Sequence, residues 1–345
     1  MSQSPTSVPA ADLLRLINGF MASHAVHVAA ELGIADLLAD GSRSSGALAR
    51  EIGTDQPSLR RLLRTLVGIG VLEEATVDHF VLTPTGTGLR SDAAHSLRDF
   101  ARMSGSERVW RIWGDLLQSI RTGEPAMPRL YGVESFEYFA AHPAEAAVFN
   151  SAMANVTRRA ARALVEACDF ARFRTIVDVG GGDGTLMAAI LTAFPALKGI
   201  VFDLPRGNAD ARGRLEAAGV ADRCEVVAGD FFRSVPAGAD AYVLKSVIHV
   251  WDDEHAIAIL KSCRTAMPSH GALLLIGYVM PERMEMSPRH QQMAMLDLHM
   301  MVGPGGRERT EAELREILVQ ARFVLSGVSP LPGDQGLSVV EGRPV

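Results

Sequence analysis

The sequence predicts an α/β protein with a seven-stranded, doubly wound sheet in its C-terminal part and a helical domain before it. From Arg174 onward, apolar segments of strand length alternate with amphipathic segments of helix length, which is typical of a parallel sheet covered by helices on both faces. A glycine-rich loop follows the first of these strands, at the place where such folds bind a nucleotide. The first hundred residues instead show helical periodicity with one short β element.

The size and composition of the chain are those of a globular protein. Its 345 residues suffice for two domains with sizeable cores, and its 48% hydrophobic and 21% charged residues exclude a disordered chain. The formal net charge of −6 argues against nucleic acid as the main partner. We expect a cytoplasmic protein with no membrane partner, because no apolar run has membrane-spanning length and the first residues lack a signal pattern. Cys168, Cys224 and Cys263 lie far apart, so we expect buried free thiols and no metal site.

The N-terminal domain is predicted to contain three helices and a hairpin. The first helix ends within residues 32–38, and the second covers residues 45–53. The third begins at Pro57, a residue favoured at the start of a helix, and its leucines form one apolar face: Leu59, Leu62, Leu63 and Leu66. Residues 68–72 and 79–83 have the pattern of two short strands, so the domain resembles a winged helix.

The winged-helix pattern leaves two functions open for this domain. In a cofactor-sensing, DNA-binding regulator, the helix that begins at Pro57 would enter the major groove, where Arg60, Arg61 and Arg64 would contact the DNA. Alternatively, these arginines form the solvated face of a dimerisation or lid domain. We favour the second interpretation, because the chain is acidic and the glycine-rich loop lies in the other domain.

The segment between the two parts is predicted to be helical and rich in aromatic residues. It spans residues 97–168, and its rings suit either a core or the wall of a pocket for a flat molecule: Trp110, Trp113, Tyr131, Phe136, Tyr138, Phe139 and Phe149. We therefore expect an N-terminal domain of residues 1–104 and a larger domain of residues 105–345. Within the larger domain, the helical segment 105–168 would contribute to a pocket.

The predicted sheet can be followed strand by strand. Its first five strands cover residues 176–179, 199–203, 224–228, 241–246 and 272–276. Two of the intervening segments are long helices that end before a proline, at residues 186–194 and 253–267. The last two strands, residues 323–328 and 337–340, are joined by a turn that contains proline and glycine.

Side chains suited to a nucleoside follow four successive predicted strands, whose carboxyl ends meet at one edge of the sheet. They are Asp178, Gly180 and Gly182 after the first strand, Asp203 and Leu204 after the second, Gly229, Asp230 and Phe231 after the third, and Lys245, Ser246 and His249 after the fourth. Asp203 can accept both ribose hydroxyls, while Asp230 and Phe231 suit an adenine ring. Each residue alone has an ordinary explanation as a cap or a core residue, but together they predict a nucleoside-binding crevice.

Several motifs resemble those of known enzymes. An acidic residue followed by Gly180, Gly182 and Gly184 resembles the first motif of S-adenosylmethionine-dependent methyltransferases, whose cofactor carries an amino group and a sulfonium cation. Four further segments resemble the plant-type small-molecule O-methyltransferases: residues 201–205, 229–232, 244–254 and 305–310. This family includes caffeate and acetylserotonin enzymes and a bacterial branch that acts on natural products.

The resemblance covers nearly the whole chain and carries definite expectations. It implies a Rossmann-like methyltransferase sheet, an N-terminal domain that forms an intertwined homodimer, and S-adenosylmethionine as the cofactor. The acceptor would be a small hydroxylated molecule of aromatic or polyketide-like type. The strand-end residues Asp178, Gly180, Gly182, Asp203, Leu204, Gly229, Asp230, Phe231, Lys245 and Ser246 would then bind the cofactor.

The resemblance also implies a general base and an acceptor pocket. His249 occupies the position of the family's catalytic histidine, and Glu308 matches the glutamate that holds this histidine. Histidine has an ordinary pKa of about 6.5, so it can accept a proton near neutral pH. The acceptor-pocket segments of the family align with Asn150, Met153, Met295 and Met300.

Two positions depart from the family pattern. Val250 stands where the family usually has an aspartate, and Gly277 stands where the family has a second orienting glutamate. With fewer carboxylates near His249, a more acidic hydroxyl would need less help from the base. The departures leave a second possibility open, namely methyl transfer to nitrogen or carbon, or another use of the cofactor on the same fold.

Overall fold

The computed structural model describes residues 9–333 and 336–345. The chain forms two compact units, one ending at Trp110 and the other beginning at Arg111. Within the described ranges, no helix is both long and apolar enough to cross a bilayer. Cys168, Cys224 and Cys263 all carry free thiols, and the last two are buried.

The N-terminal unit consists of helices around a small antiparallel sheet. Its elements are α1 (Pro9–Ile17), α2 (Gly19–Glu31), α3 (Ile34–Leu37), β1 (Arg43–Ser44), α4 (Ser45–Ile52), α5 (Gln56–Gly68), β2 (Leu72–Thr76), β3 (His79–Leu82), α6 (Arg98–Ser104) and α7 (Glu107–Gly114), the last of which runs past the division. The sheet order is β1-β3-β2, so the predicted hairpin is present and a third, two-residue strand is added to it.

Local sequence explains why α5 forms where Pro57 predicts a helix. The Asp55 carboxylate accepts a hydrogen bond of 2.9 Å from the backbone N–H of Ser58 and so caps the helix, and Pro57 occupies its first turn. Leu59, Leu63 and Leu66 are the buried face of the helix, as their spacing predicts.

The C-terminal unit begins with helices and continues as a wound sheet. The leading helices are α8 (Leu116–Thr122), α9 (Ala126–Tyr131), α10 (Ser135–Ala141) and α11 (Pro143–Ala167). The sheet region contains β4 (Thr175–Val179), α12 (Thr185–Ala193), β5 (Lys198–Asp203), α13 (Ala211–Ala217), β6 (Cys224–Ala228), β7 (Ala241–Lys245), α14 (Asp253–Ala266), β8 (Ala272–Met280), α15 (Pro288–Val302), β9 (Arg309–Thr310), α16 (Glu311–Gln320), β10 (Phe323–Pro330) and β11 (Leu337–Pro344).

The strand order β6-β5-β4-β7-β8-β11-β10 confirms the predicted seven-stranded, doubly wound sheet. The first five strands of this order are parallel, and β11 runs antiparallel to both of its neighbours, so the sheet is mixed. The two-residue strand β9 adds a parallel pairing to the end of β8. Chain order reverses between β4 and β7, and ligands of such sheets bind at the carboxyl ends of strands beside this point.

Two apolar layers cover the sheet, one on each face. On one face, residues of α11, α12 and α13 pack against alternate strand residues such as Ile176 and Val201. On the other face, residues of α14 and α16 pack against the intervening residues, such as Val177 and Leu244. The helices therefore fix the positions of the strand ends, where the predicted site residues lie.

Candidate functional site

Asp178 lies near the end of β4 beneath the glycine-rich loop. Gly180 and Gly182 adopt φ values of +73° and +54°, which other residues rarely adopt, and this lets the loop fold back over the strand end. A Cβ atom on Gly181 would lie 2.9 Å from Cγ of Asp178, so the loop contacts the carboxyl group closely. The cradle is therefore shaped by glycine, and its floor is a carboxyl group.

Burial dominates the electrostatics of Asp178, whose residue surface is only 2% exposed. Burial raises the pKa of this carboxyl to about 7, while the nearby Lys245 ammonium lowers it and the charges of Asp203 and Asp183 raise it. Its Oδ2 atom is buried and has no hydrogen-bond partner within the described part of the chain. A cationic hydrogen-bond donor beside the loop would satisfy this oxygen, and the amino group of S-adenosylmethionine fits that requirement.

Asp203 joins the first two strand-end loops. Its two carboxylate oxygens accept the backbone N–H groups of Gly182 at 2.8 Å and Leu204 at 2.7 Å. Burial raises the pKa of Asp203, and these two N–H groups oppose that rise. Each oxygen keeps a further lone pair, so the carboxylate can still accept ligand hydroxyl groups.

The third strand end brings Gly229, Asp230 and Phe231 to the same edge. The backbone N–H of Gly229 donates to the Asp203 carbonyl at 2.9 Å, and Oδ1 of Asp230 accepts the backbone N–H of Phe232 at 2.9 Å. Phe231 and Phe232 pack edge to face with ring centroids 4.9 Å apart. These contacts fix Asp230 and Phe231 at the sheet edge that carries Asp203, and their role in binding an adenine ring stays a prediction.

An aromatic residue that the sequence analysis missed, Trp251, completes this group. Its ring lies edge-on to Phe232 at 4.9 Å and stacks on Phe136 at 5.9 Å. The indole Nε1 is buried and unpaired among the described residues. Its position two residues after His249, within a motif already singled out, was the signal that could have identified it.

The fourth strand end carries a strained serine and the candidate base. Ser246 adopts φ +55° directly after β7, in a region that non-glycine residues rarely occupy, and its N–H donates to the Ile276 carbonyl at 2.8 Å. His249 follows in a single helical turn, Ile248–Val250. Its Nδ1 lies 2.6 Å from Oε1 of Glu308, and the two side chains are 14% and 2% exposed.

The contact between His249 and Glu308 defines a histidine–carboxylate dyad. When Nδ1–H donates to the carboxylate, the lone pair of the imidazole lies on Nε2, which is then the proton acceptor. A buried carboxylate also stabilises the imidazolium that forms when Nε2 takes a proton. The structure thus brings together the two residues predicted as base and orienting group.

Arg309, which the sequence analysis did not assign, holds the backbone around His249. Its buried guanidinium donates to Oδ1 of Asp253 at 2.8 Å and to the carbonyl oxygens of Ile248 at 2.9 Å and Trp251 at 2.8 Å. Its position directly after Glu308, within residues 305–310, was the signal in the sequence that could have identified it. Gly306 packs so closely against the His249 carbonyl that a Cβ atom there would overlap with it.

Asp297 supports the other member of the dyad. Its Oδ1 accepts the backbone N–H of Glu308 at 2.8 Å. Burial raises the pKa of Asp297, the N–H bond lowers it, and the Glu308 charge raises it. This residue lies in the methionine-rich helix α15, and no local pattern in the sequence predicts its role.

The four candidate acceptor residues lie on two helices. Asn150 and Met153 are partly buried on α11. On α15, Met300 is 7% exposed, whereas Met295 is 53% exposed. Met300 comes almost one turn after Asp297, on the side of the helix that faces Glu308, and Met295 lies on the opposite side.

Comparisons with known proteins agree with this geometry. Residues 113–324 match the family model of the O-methyltransferase domain, and residues 14–90 match that of the O-methyltransferase dimerisation domain. Phenazine O-methyltransferase PhzM of Lysobacter antibioticus is 44% identical over 333 residues, which span 96% of this chain and 96% of that protein. O-demethylpuromycin-O-methyltransferase of Streptomyces alboniger is 40% identical and covers 96% of this chain and 89% of its own length.

Solved structures give the same result and identify the cofactor. The crystal structure of LaPhzM superposes with a TM-score of 0.93 at 42% identity and covers 98% of this chain and 100% of its own. NcsB1, with a TM-score of 0.78 at 36% identity over 94% of this chain and 96% of its own, was solved with S-adenosylmethionine and 2-hydroxy-5-methyl naphthoic acid. The resemblance predicted from the motifs is confirmed. The chain belongs to the O-methyltransferase family and uses S-adenosylmethionine as its cofactor.

Proposed function

We propose that the protein methylates a hydroxyl group of an aromatic or polyketide-like small molecule, with His249 as the general base. The 2.6 Å contact between His249 and the buried Glu308 carries this proposal, because it prepares Nε2 to accept a proton beside the cofactor cradle. The relatives support the acceptor class, since one acts on a phenazine and another was solved with a hydroxylated naphthoic acid.

The strand-end residues would hold the cofactor, which supplies an electrophilic methyl group on sulfur. Asp178 and the glycine loop would bind the methionine part, and the Asp203 carboxylate would accept the ribose hydroxyls. Asp230 and Phe231 would bind the adenine, while Lys245 and Ser246 close the crevice beside β4. We propose that Gly180, Gly182, Leu204 and Gly229 also line the cofactor site.

The base acts on the acceptor hydroxyl. A simple phenol has a pKa of about 10 and is a poor nucleophile while it keeps its proton. As the acceptor oxygen bonds to the methyl carbon, the carbon–sulfur bond breaks and the hydroxyl proton passes to Nε2 of His249. Glu308 stabilises the resulting imidazolium.

We propose that the acceptor pocket is lined by Asn150, Met153, Met295 and Met300. Of the two methionines on α15, the buried Met300 is better placed than the exposed Met295.

Variants of the dyad test this function. His249→Ala should lower kcat by about 10²- to 10⁴-fold, the usual contribution of a general base, and leave the Kd of S-adenosylmethionine unchanged. The matched control is His270→Ala, because the His270 side chain is 73% exposed and lies against Asp240, outside the dyad. Titration calorimetry measures the Kd, and mass spectrometry with a labelled methyl group measures turnover. Wild-type turnover in His249→Ala would show that positioning alone drives the transfer.

We also propose that the protein acts as a homodimer. The dimerisation-domain match supports this state, and α1 with the start of α2 presents exposed apolar side chains suited to a second copy: Leu13, Leu14, Leu16, Ile17, Phe20 and Met21. Sedimentation equilibrium measures the state directly. A monomer at micromolar concentration would contradict the proposal.

Methyl transfer to nitrogen is the second candidate function. A relative named 8-amino-8-demethylriboflavin N,N-dimethyltransferase is 36% identical over 88% of this chain and 87% of its own length. Incubation of matched hydroxy- and amino-substituted aromatic acceptors with labelled cofactor distinguishes the two. Label on nitrogen alone would replace O-methylation as the function.

A further inference from the structure

A small pocket adjoins the dyad. It has a volume of about 30 Å³ and is lined by Ser246, His249, Gly277, Tyr278, Glu308 and neighbouring apolar residues. A buried water needs about 10–15 Å³, so the pocket can hold an ordered water or a short polar group. Its lining includes both members of the dyad, and any group placed there lies beside the imidazole and the carboxylate.

Gly277 of β8 lines this pocket, and its lack of a side chain leaves open space there. Its φ lies outside the left-handed region, so the backbone does not require glycine here. A Cβ atom on Gly277 would have no heavy atom within 4 Å. Strand pairing places Lys245 opposite Ile276, so Gly277 follows at the level of Ser246, near the start of the segment that carries His249.

Among the residues that the structure describes, Glu308 is the carboxylate that contacts the His249 imidazole, and the other charged groups nearby have different partners. Asp297 binds the backbone N–H of Glu308, and Arg309 binds Asp253 and three carbonyl oxygens. Arg307 lines the pocket but pairs with Glu313. On the β7 and β8 side, Lys245 lies near Asp178, and the Tyr278 hydroxyl accepts a hydrogen bond from Gln292 at 3.0 Å.

We propose that Gly277 determines acceptor specificity by keeping His249 a single-carboxylate base. A carboxylate at position 277 would reach the pocket and further stabilise the imidazolium, which would strengthen the base. With glycine there, the acceptor itself must release its proton readily. The protein would then prefer hydroxyl groups acidified by a conjugated carbonyl, carboxyl, nitro or ring-nitrogen group over simple phenols with a pKa of about 10.

The inference rests on the proposed O-methylation, and Gly277→Glu with Gly277→Gln as its uncharged control tests it. The acceptors are 2-naphthol and its formyl, carboxyl and nitro derivatives, and the measured quantity is kcat/KM. In the wild type, kcat/KM should rise at least tenfold from 2-naphthol to the most acidic derivative. Gly277→Glu should shrink this ratio at least threefold, whereas Gly277→Gln should retain it. If the larger side chains prevent folding, Gly277→Asp and Gly277→Asn form the same comparison.

A second readout separates the inference from the proposed function. The NMR signal of a His249 ring carbon is assigned by its loss in His249→Ala. When its chemical shift is followed against pH, the midpoint should lie at higher pH in Gly277→Glu than in Gly277→Gln. Equal midpoints, or equal acceptor ratios in two active variants, overturn the role of Gly277. If the protein binds S-adenosylmethionine but methylates no hydroxyl group of the panel, the proposed function fails, and the midpoints alone decide whether position 277 acts on the base.

Discussion

Lowering the pH from 7 to 6 should weaken cofactor binding through Asp178. Burial raises the pKa of this carboxyl to about 7, so a large fraction of the free protein carries it protonated at neutral pH. A cationic cofactor above the carboxyl favours the ionised form, so binding must expel a proton. For a carboxyl with a pKa of about 7, the ionised fraction falls about fivefold between pH 7 and pH 6. The Kd should therefore rise about fivefold, which is a loss of about 1 kcal/mol of binding free energy.

Titration calorimetry at the two pH values, in buffers of different ionisation enthalpy, measures both the Kd and the protons released. The cofactor's own amino group stays mainly protonated over this range, because its pKa is about 8. Asp178→Asn is the matched control, since it keeps the shape of the side chain and cannot titrate. The variant should bind more weakly, release no proton from this site and show little change in Kd between the two values. An unchanged wild-type Kd would refute the argument.

The same shift has a consequence for the stability of the cofactor-free protein. A carboxyl whose folded-state pKa lies above its unfolded value binds more protons in the folded state, so its contribution to the free energy of unfolding falls as the pH rises. The window runs from the ordinary value of 3.8 to about 7. Asp178→Asn should therefore raise the thermal midpoint at pH 8 relative to the wild type and have less effect near pH 4.

Two further substitutions test the supports of the site. Arg309→Lys should lower kcat at least tenfold, because a lysine cannot reproduce the directed guanidinium bonds to Asp253, Ile248 and Trp251 together. A wild-type kcat and pH profile in a folded variant would exclude this positioning role. Asp203→Ala should raise the Kd of S-adenosylmethionine at least tenfold, since it removes the proposed ribose acceptor and the partner of two backbone N–H groups; wild-type affinity by calorimetry would contradict it.

The sequence predicted the strands and helices that are long enough to show an apolar or periodic pattern. The strand before the glycine loop was predicted at residues 176–179 and is observed as Thr175–Val179, and the helix predicted at residues 253–267 is observed as Asp253–Ala266. The two-residue strands β1 and β9 are too short to produce a periodic pattern. They exist because tertiary packing aligns them with β3 and β8.

The candidate site divides in the same way. Residues at the strand ends could be predicted because the carboxyl ends of parallel strands meet at one edge. The hydrogen bonds that Asp297 and Arg309 make could not be predicted. The Glu308 N–H bonds to Asp297, 11 positions away, and Arg309 bonds to the Ile248 carbonyl, 61 positions away, so only the folded chain brings these groups together. The cofactor-binding roles of the strand-end residues and the acceptor-binding roles of the residues on α11 and α15 remain predictions for calorimetry and kinetics to test.

The way in which Arg309 grips the loop bears on how such an enzyme can diversify. Three of its four hydrogen-bond partners are main-chain oxygens. Two of these oxygens, those of Ile248 and Trp251, belong to the loop and are present whatever side chains the loop carries. Val250, which lies between them, can thus be exchanged while the path of the chain is preserved. Evolution, or a protein engineer, gains a position adjacent to His249 in the chain at which new side chains can be tried while Arg309 still holds the loop.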